Sequence, residues 1–298
     1  MSEPIWCVMP VMAGPEMTEA SIADLLGQSI PTKILIINQA VETPFRERLE
    51  RLAEEYADRL LVWSHMPPLP SLSATWNRAL DFVWQTGADH AFVVNNDVRL
   101  HASTVLVLVH VLEGTSALFV SAVGVTKEQF DPVSPLPPLW TGEHVNAQTG
   151  VSTDLGLLGK GGPDFSCFLI AKACHDRFRF DERLIPCFTE DVDYHRRLML
   201  TGEGHRIFSI NLPYLHLASQ TLQLLPPERA ERIKAQIEQV SRAYYQRKWA
   251  GPVNHETRYV PFEDQLHAIE NATEWKLREL GVGPTTPELQ AYVQRAGS

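Results

Sequence analysis

Apolar runs and helically spaced apolar positions alternate along the first third of this chain. Ile5 to Val11 reads as a strand, closed by the turn around Ala13-Gly14-Pro15. Ile22, Leu25 and Leu26 then share the inner face of a helix from about Glu16 to Gln28. Pro31 separates it from a strand over Lys33 to Asn38, whose core Ile34-Leu35-Ile36-Ile37 is apolar on both faces. A parallel strand covered by helices on either side has that composition. Phe45, Leu49, Leu52, Ala53 and Tyr56 recur at helical spacing behind Thr43-Pro44, a cap and first-turn pair. Leu60 to Trp63 is a short strand, Pro67, Pro68 and Pro70 force a loop, and Leu72, Trp76, Ala79, Leu80 and Val83 mark the next helix. Ala91 to Asn95 follows as a buried strand with Asn95-Asn96-Asp97 at its carboxyl end. Strands alternating with helices predict an α/β domain: a doubly wound, mostly parallel central sheet with helices on both faces.

Beyond Asp97 the pattern changes. Ala102 to Leu112 suits a helix, and Ala117 to Val123 a further buried strand. Residues 126–164 are rich in proline and glycine; a loop of that length either serves the site, with Trp140 as a stacking platform, or is a plain surface excursion. Phe165 to Ala171 returns to strand, and Glu190, Asp191 and Asp193 crowd the first turn of a helix that ends at Gly202. An edge strand is expected over His205 to Ile210. Ala230, Ile233, Ile237, Val240 and Tyr244 then trace an amphipathic helix, stopped by Gly251-Pro252. These elements make one domain over 1–252, with halves 1–99 and 100–225 and a packing helix over 226–250. Residues 253–298 form a C-terminal helical extension, weakly helical around Phe262 to Leu280.

With 298 residues, 44% of them apolar and 21% charged, the chain has ordinary globular composition. A net charge of −10 argues against a broad electrostatic grip on nucleic acid. Cys7, Cys167, Cys174 and Cys187 show neither CxxC pairing nor zinc spacing and read as reduced thiols. With no signal-peptide pattern and no apolar run near the ~18 residues that a span needs, a soluble, cytoplasmic protein is expected. Neither GxGxxG nor GxxxxGK[ST] follows any of the early strands, which removes the main support for dinucleotide and P-loop readings.

Two stretches carry candidate chemistry. Ligands in open α/β sheets sit outside the carboxyl ends of the strands, where Asp97 stands. A lone carboxylate there suits a hard cation that also holds phosphate oxygens, although Asn-Asn-Asp also suits a simple turn. Acids at a helix start are favoured by the partial positive charge of its amino end. Three in four residues, behind a Pro- and Gly-rich loop, exceed what that requires.

Taken in order, Val8-Met9-Pro10-Val11, then Leu26 to Pro31 with Ile34 to Asn38, then Asn95-Asn96-Asp97, then Phe180-Asp181-Glu182 with Thr189-Glu190-Asp191-Val192-Asp193 resemble the family 2 glycosyltransferases of the GT-A fold. The resemblance implies inverting transfer of a sugar from a nucleoside-diphosphate sugar to an acceptor hydroxyl, with a divalent cation, Mn²⁺ or Mg²⁺. It places the donor along Pro10, Val11, Asn38, Asn77, Asn95 and Asn96, and the metal on Asp97 and His216. Asp191 would be the base, and Glu190 would orient it or hold the acceptor. From the residues alone, His216 reads as a satisfied loop histidine and Asn77 as a helix-surface amide, and Arg196 and Arg197 could reach phosphate but on an exposed helix face are more often solvated charges. The chain departs from the family pattern at Asn38 and Asn95, where acids are common; an amide gives a metal no charge. Two alternatives stand beside transfer: a sugar nucleotidyltransferase, and a non-catalytic nucleotide- or carbohydrate-binding module. The acceptor is open among glycan, lipid-linked sugar, protein and modified nucleic-acid base.

Overall fold

The computed structural model describes residues 3–40, 42–65, 68–132, 164–200, 206–217 and 220–258. Trp140, Gly202, His205 and the weak C-terminal helix lie outside them. Strands β1 (Ile5–Val11), β2 (Thr32–Asn38), β3 (Leu60–Ser64), β4 (His90–Val94), β5 (Val98–Arg99), β6 (Phe119–Val125), β7 (Cys167–Ala171) and β8 (Ile207–His216) form one sheet in the order β3-β2-β1-β4-β7-β6-β8-β5. The first four strands in that order run parallel, and β8 runs parallel to β6. β7 is antiparallel to both of its neighbours, and the short β5 is antiparallel to β8.

Alternation along β2 shows how the layers form. Ile34 and Ile36 point to one face, against Ile22 and Leu25 of α1 (Pro15–Leu26), Phe45 and Leu49 of α2 (Thr43–Glu55) and Leu108 of α4 (Thr104–Gly114). Leu35 and Ile37 point to the other, against Trp76, Leu80 and Val83 of α3 (Leu72–Gln85) and Tyr194 and Leu198 of α6 (Glu190–Leu200). Cys174 of α5 (Lys172–Arg177) joins that second layer. Each apolar face excludes water, at roughly 25 cal/mol per Å² of apolar surface buried.

Two expectations need correction. The strand after α6 is not an edge: β8 lies between β6 and β5 and runs on through Pro213 to His216. Pro213 is tolerated because it follows the register shift between Ser121 and Val123, and proline inside sheets is confined to such irregularities and to edges. The C-terminal helix runs as α8 (Pro227–Gln236), a π-helical turn (Ile237–Arg242) and α9 (Ala243–Trp249), beyond the short α7 (Gln220–Leu224). Its buried stripe passes through Ile237, Ser241, Tyr244 and Lys248, while Val240 is exposed. Two polar residues thus occupy the inward face, and a count of apolar positions passes over them.

Candidate functional site

A cavity of about 380 Å³ opens at the carboxyl ends of the parallel strands. Ligand sites commonly fall in this size range. Pro10 and Val11 of β1, Asn95, Asn96 and Asp97 after β4, Glu190 and Asp191 at the start of α6, and His216 at the end of β8 all line it. Residues as distant in sequence as Pro10 and Ile233 therefore line one cavity.

The Asn-Asn-Asp turn is clamped to α1. Gly14, at a φ of 83° that disfavours a side chain, turns the chain from β1 into α1. Asn96 Nδ2 donates to Ala13 O at 2.8 Å and to Thr18 Oγ1 at 2.9 Å, and Ser21 Oγ donates to the carbonyls of Asn96 (3.1 Å) and Val98 (2.7 Å). The Asn96 amide thus holds the turn. Asn95 is fixed through its backbone, its N–H donating to Ser166 O at 2.9 Å. Asp97 is buried, and the pairing of Val98 with His216 brings His216 Nε2 to 3.6 Å from Asp97 Oδ1. Burial would lower the imidazole's pKa, but Asp97 and Asp164 outweigh it and raise it on balance.

On the far wall, Phe188 and Thr189 lead into α6 with φ of 70° and 69°, the left-handed region. Glu190 is buried; that burial first, and then the Asp191 charge, raises its carboxyl well above the usual range. Its Oε2 has no hydrogen-bond partner among the described residues. Burial also raises Asp191, against the pull of backbone N–H groups, and Asp191 Oδ1 accepts from Val192 N at 2.8 Å. Asp193, one turn along, is not on the cavity. It is fully buried, accepting from Trp249 Nε1 (2.8 Å), Arg197 Nε (2.8 Å) and Lys248 Nζ. Lys248 also reaches Asp181 Oδ2 at 3.0 Å. Burial alone would raise Asp181, but Lys248 and Arg197 hold its pKa at about 2. Burial lowers the Lys248 ammonium on balance, yet two carboxylates in contact keep it the cation that a depressed Asp181 requires.

Several expected roles therefore move. Asn77 is neither on the cavity nor on a helix surface. Its Nδ2 donates to Phe180 O and Glu182 Oε1, both at 2.9 Å, and its Oδ1 accepts from Phe180 N at 3.0 Å. His175 Nδ1 accepts from Trp84 Nε1, so its proton sits on Nε2 and is donated to Asn77 Oδ1 at 3.1 Å. Burial pulls that histidine to about 4 and keeps it neutral. Asn77 thus ties α3 to the Phe180-Asp181-Glu182 segment. Asn38 is also turned inward, donating to Ser64 Oγ at 3.1 Å and accepting from Ala40 N at 3.0 Å. Arg197 is buried in the Asp193 network, and Arg196 lies over Trp249 and donates to Arg258 O, so neither is a solvated charge.

In place of Asn38, the neighbouring Gln39 lines the cavity. Thr75 Oγ1 gives its proton to Ser71 O (3.0 Å), so it must accept from Gln39 Nε2 (2.6 Å). That leaves the buried Gln39 Oε1 without a partner among the described residues. The Gln39 backbone continues the ladder, its N–H donating to Val11 O at 2.8 Å, and the alternation of the strand turns its side chain the opposite way from Asn38. The family position drew attention to Asn38 instead.

A divalent cation fits this donor set. Asp97 and His216 offer one carboxylate and one imidazole at a separation that side-chain rotation would close onto one ion. Among the described residues, no lysine or arginine lines the cavity to balance a diphosphate. Among the described residues no group of three or more His, Cys, Asp or Glu converges on a metal point. Phosphate oxygens and water would complete the coordination, as Mg²⁺ sites commonly arrange it.

No protein-family model matches this chain, and neither does any curated protein. Solved structures do. TarS 1-349 of S. aureus superposes with a TM-score of 0.52 at 12% identity, covering 99% of this chain and 88% of that one. TarS 1-349 in complex with UDP gives 0.52 at 13% identity, with the same coverage of each chain. The mannosyltransferase PcManGT of Pyrobaculum calidifontis, in complex with GDP-Man and Mn²⁺, gives 0.51 at 13% identity and covers 99% and 76%. At such identities the likeness is one of fold: the chain has a glycosyltransferase-like α/β fold, with a mostly parallel central sheet between helices.

Proposed function

We propose that this chain is an inverting, metal-dependent glycosyltransferase that moves a sugar from a nucleoside-diphosphate sugar to an acceptor hydroxyl. One observation carries the reading: the strand-end acid Asp97 and the helix-start acid Asp191 face a single cavity, with no lysine or arginine lining it among the described residues. The fold shared with a mannosyltransferase solved with GDP-Man and Mn²⁺ supports it.

Two charges have to be managed during transfer. The departing diphosphate gathers negative charge, which a divalent cation on Asp97 and His216 would offset as a Lewis acid when bound. The attacking hydroxyl must lose its proton, and a carboxylate on the opposite side of the sugar is the group to receive it. Asp191 is that base. Its Oδ1 is fixed by the Val192 N–H, which sets the carboxylate's rotation, and Oδ2 takes the proton. A pKa raised by burial makes Asp191 a stronger base than a solvated carboxylate while leaving it ionisable. Glu190, raised further, stays protonated beside it, so the pair need not carry two adjacent charges. The neutral acid is then a donor to the acceptor or to Asp191. Pro10, Val11 and Gln39 would receive the nucleoside, with Asn95 and Asn96 shaping the turn beneath the diphosphate.

Titration with UDP and GDP, with and without Mn²⁺, followed by assay of UDP- and GDP-linked sugars for hydrolysis, tests the reading. Mn²⁺-dependent binding together with release of free sugar is the expected result. Binding without release would favour a non-catalytic nucleotide-binding module, and release of a sugar phosphate and a nucleoside triphosphate only when pyrophosphate is added would favour a nucleotidyltransferase.

A further inference from the structure

The geometry points to Ser241 as a positioning residue for the transfer step, acting through the two left-handed residues that precede Glu190 and Asp191. The inference rests on Asp191 being the proton acceptor.

Phe188 and Thr189 are consecutive residues at φ of 70° and 69°, and neither is glycine. A side chain at positive φ crowds its own backbone, so such residues relax to ordinary conformations unless their surroundings hold them. Here the holding group comes from a distant part of the chain. Ser241, fully buried in the π-helical turn, donates to Phe188 O at 2.6 Å, and its Oγ lies 3.4 Å from Thr189 Oγ1. One hydroxyl therefore fixes both strained residues. π-helical turns inside longer helices are frequent at functional sites.

The next turn of α6 is gripped from the same helix. Asp193 N donates to Thr189 O at 2.9 Å, which starts the helix, and the Asp193 carboxylate is taken by Trp249 Nε1 and Lys248 Nζ. Glu190 and Asp191 thus sit between two anchors on the C-terminal helix: Ser241 before them, Lys248 and Trp249 after them. The later anchor is a buried ion network, and its loss would loosen the whole packing. Ser241 is different. It makes two neutral hydrogen bonds, to Phe188 O and with Thr189 Oγ1, placed where the backbone direction entering Glu190 is set. A rotation at Thr189 swings both acids relative to the cavity, and misplacement of a reacting group by about 1 Å is worth on the order of 100-fold in rate. Ser241 does not itself line the cavity, and its partners Phe188 and Thr189 belong to the helix-start side, so no contact of Ser241 reaches the Asp97 turn.

The test uses the full chain and whichever UDP- or GDP-linked sugar it hydrolyses fastest. Ser241→Ala is expected to lower the hydrolysis rate at saturating donor by about 10-fold or more. Calorimetric affinity for UDP or GDP with Mn²⁺ should stay within about twofold of the parent, since no contact on that side changes. Ser241→Cys, nearly the same size but a weaker donor, should fall between the two, and it carries the test should the alanine variant fold poorly. Adding Thr189→Gly to Ser241→Ala should recover part of the rate, because glycine adopts positive φ without a tether. A Ser241→Ala rate equal to the parent's overturns the proposal, as does a nucleotide affinity that falls in step with the rate, or no recovery with glycine. Asp191→Asn, run alongside, separates two failures. A parent-like rate there overturns the base assignment and Ser241's role with it; loss there beside a parent-like Ser241→Ala overturns Ser241 alone.

Discussion

The two acids on which the site turns, Asp97 and Asp191, are held in place in opposite ways. The turn that carries Asp97 is tied by Ala13, Thr18 and Ser21, all on the turn and helix that follow the neighbouring strand β1. The helix start that carries Asp191 is tied by Ser241, Lys248 and Trp249, more than 50 residues downstream. The Asp97 turn is therefore tied mainly by its own neighbourhood, with β8 adding His216 beside it and the Leu217 N–H on Asp97 O at 2.9 Å, whereas the Asp191 wall depends on the C-terminal helix. A change at Ser241 or Lys248, which are not on the cavity, should disturb proton transfer and leave nucleotide binding alone. The most forceful test of the division is Asp191→Asn, which keeps the shape and removes the proposed proton acceptor. Turnover should fall by about 10²–10⁴ while Mn²⁺-dependent UDP or GDP affinity is unchanged. A matching loss of affinity would mean that the two walls are not separate.

Lys248→Met breaks the downstream side through stability. It leaves Asp181 and Asp193 buried without their shared cation, and removing one partner of a buried ion pair costs about 3–5 kcal/mol. Denaturant unfolding should show that loss; a midpoint near the parent's would mean the network is not the anchor described above. On the other wall, Asp97→Asn removes the only carboxylate of the candidate metal pair. The gain in UDP or GDP affinity on adding Mn²⁺ should shrink by at least the roughly 10–100-fold that losing a ligand's supporting partner costs. An undiminished Mn²⁺ effect would move the cation elsewhere.

The same contrast explains what could be read from the chain. Strand ends and their turns are local: Ile5–Val11 matched residue for residue, and Asn95-Asn96-Asp97 falls at the end of β4, one residue beyond the strand's observed limit. The pairing of Glu190 with Asp191 was legible for the same reason. Asp193 was not: nothing in Glu-Asp-Val-Asp says which acid turns inward, because the choice is made by Lys248 and Trp249. Asn77, expected at the donor or as a helix-surface amide, is instead held by Phe180 and His175 from other elements, and Arg197, expected as a solvated charge, is drawn inward with Asp193. Ser241 carried no signal in periodicity, since a polar residue on an inward face is counted as an interruption.

The smallest of the expected effects sets the two groups of acids against each other through pH. Asp181 is held at about 2, below its ordinary 3.8, so it binds protons less readily in the folded chain than in the unfolded one. Its stabilisation is complete above the unfolded value and is lost as pH falls from about 4 towards about 2, by roughly 2 kcal/mol for a shift of this size. Glu190 and Asp191 run the other way. Their carboxyls are raised, so the folded chain binds their protons more tightly, and stability declines as pH rises through and above the ordinary carboxylate range. Unfolding free energy against pH should therefore rise on the acid limb through the Lys248 network and sag above it through the cavity acids. Lys248→Met should flatten the first limb alone, because Asp181 then loses the larger of the two charges that depress it. Glu190→Gln should relieve the second limb alone, because the amide has no proton to lose. If either variant moves both limbs, the buried network and the cavity titrate as one unit, and the separation of the two walls fails.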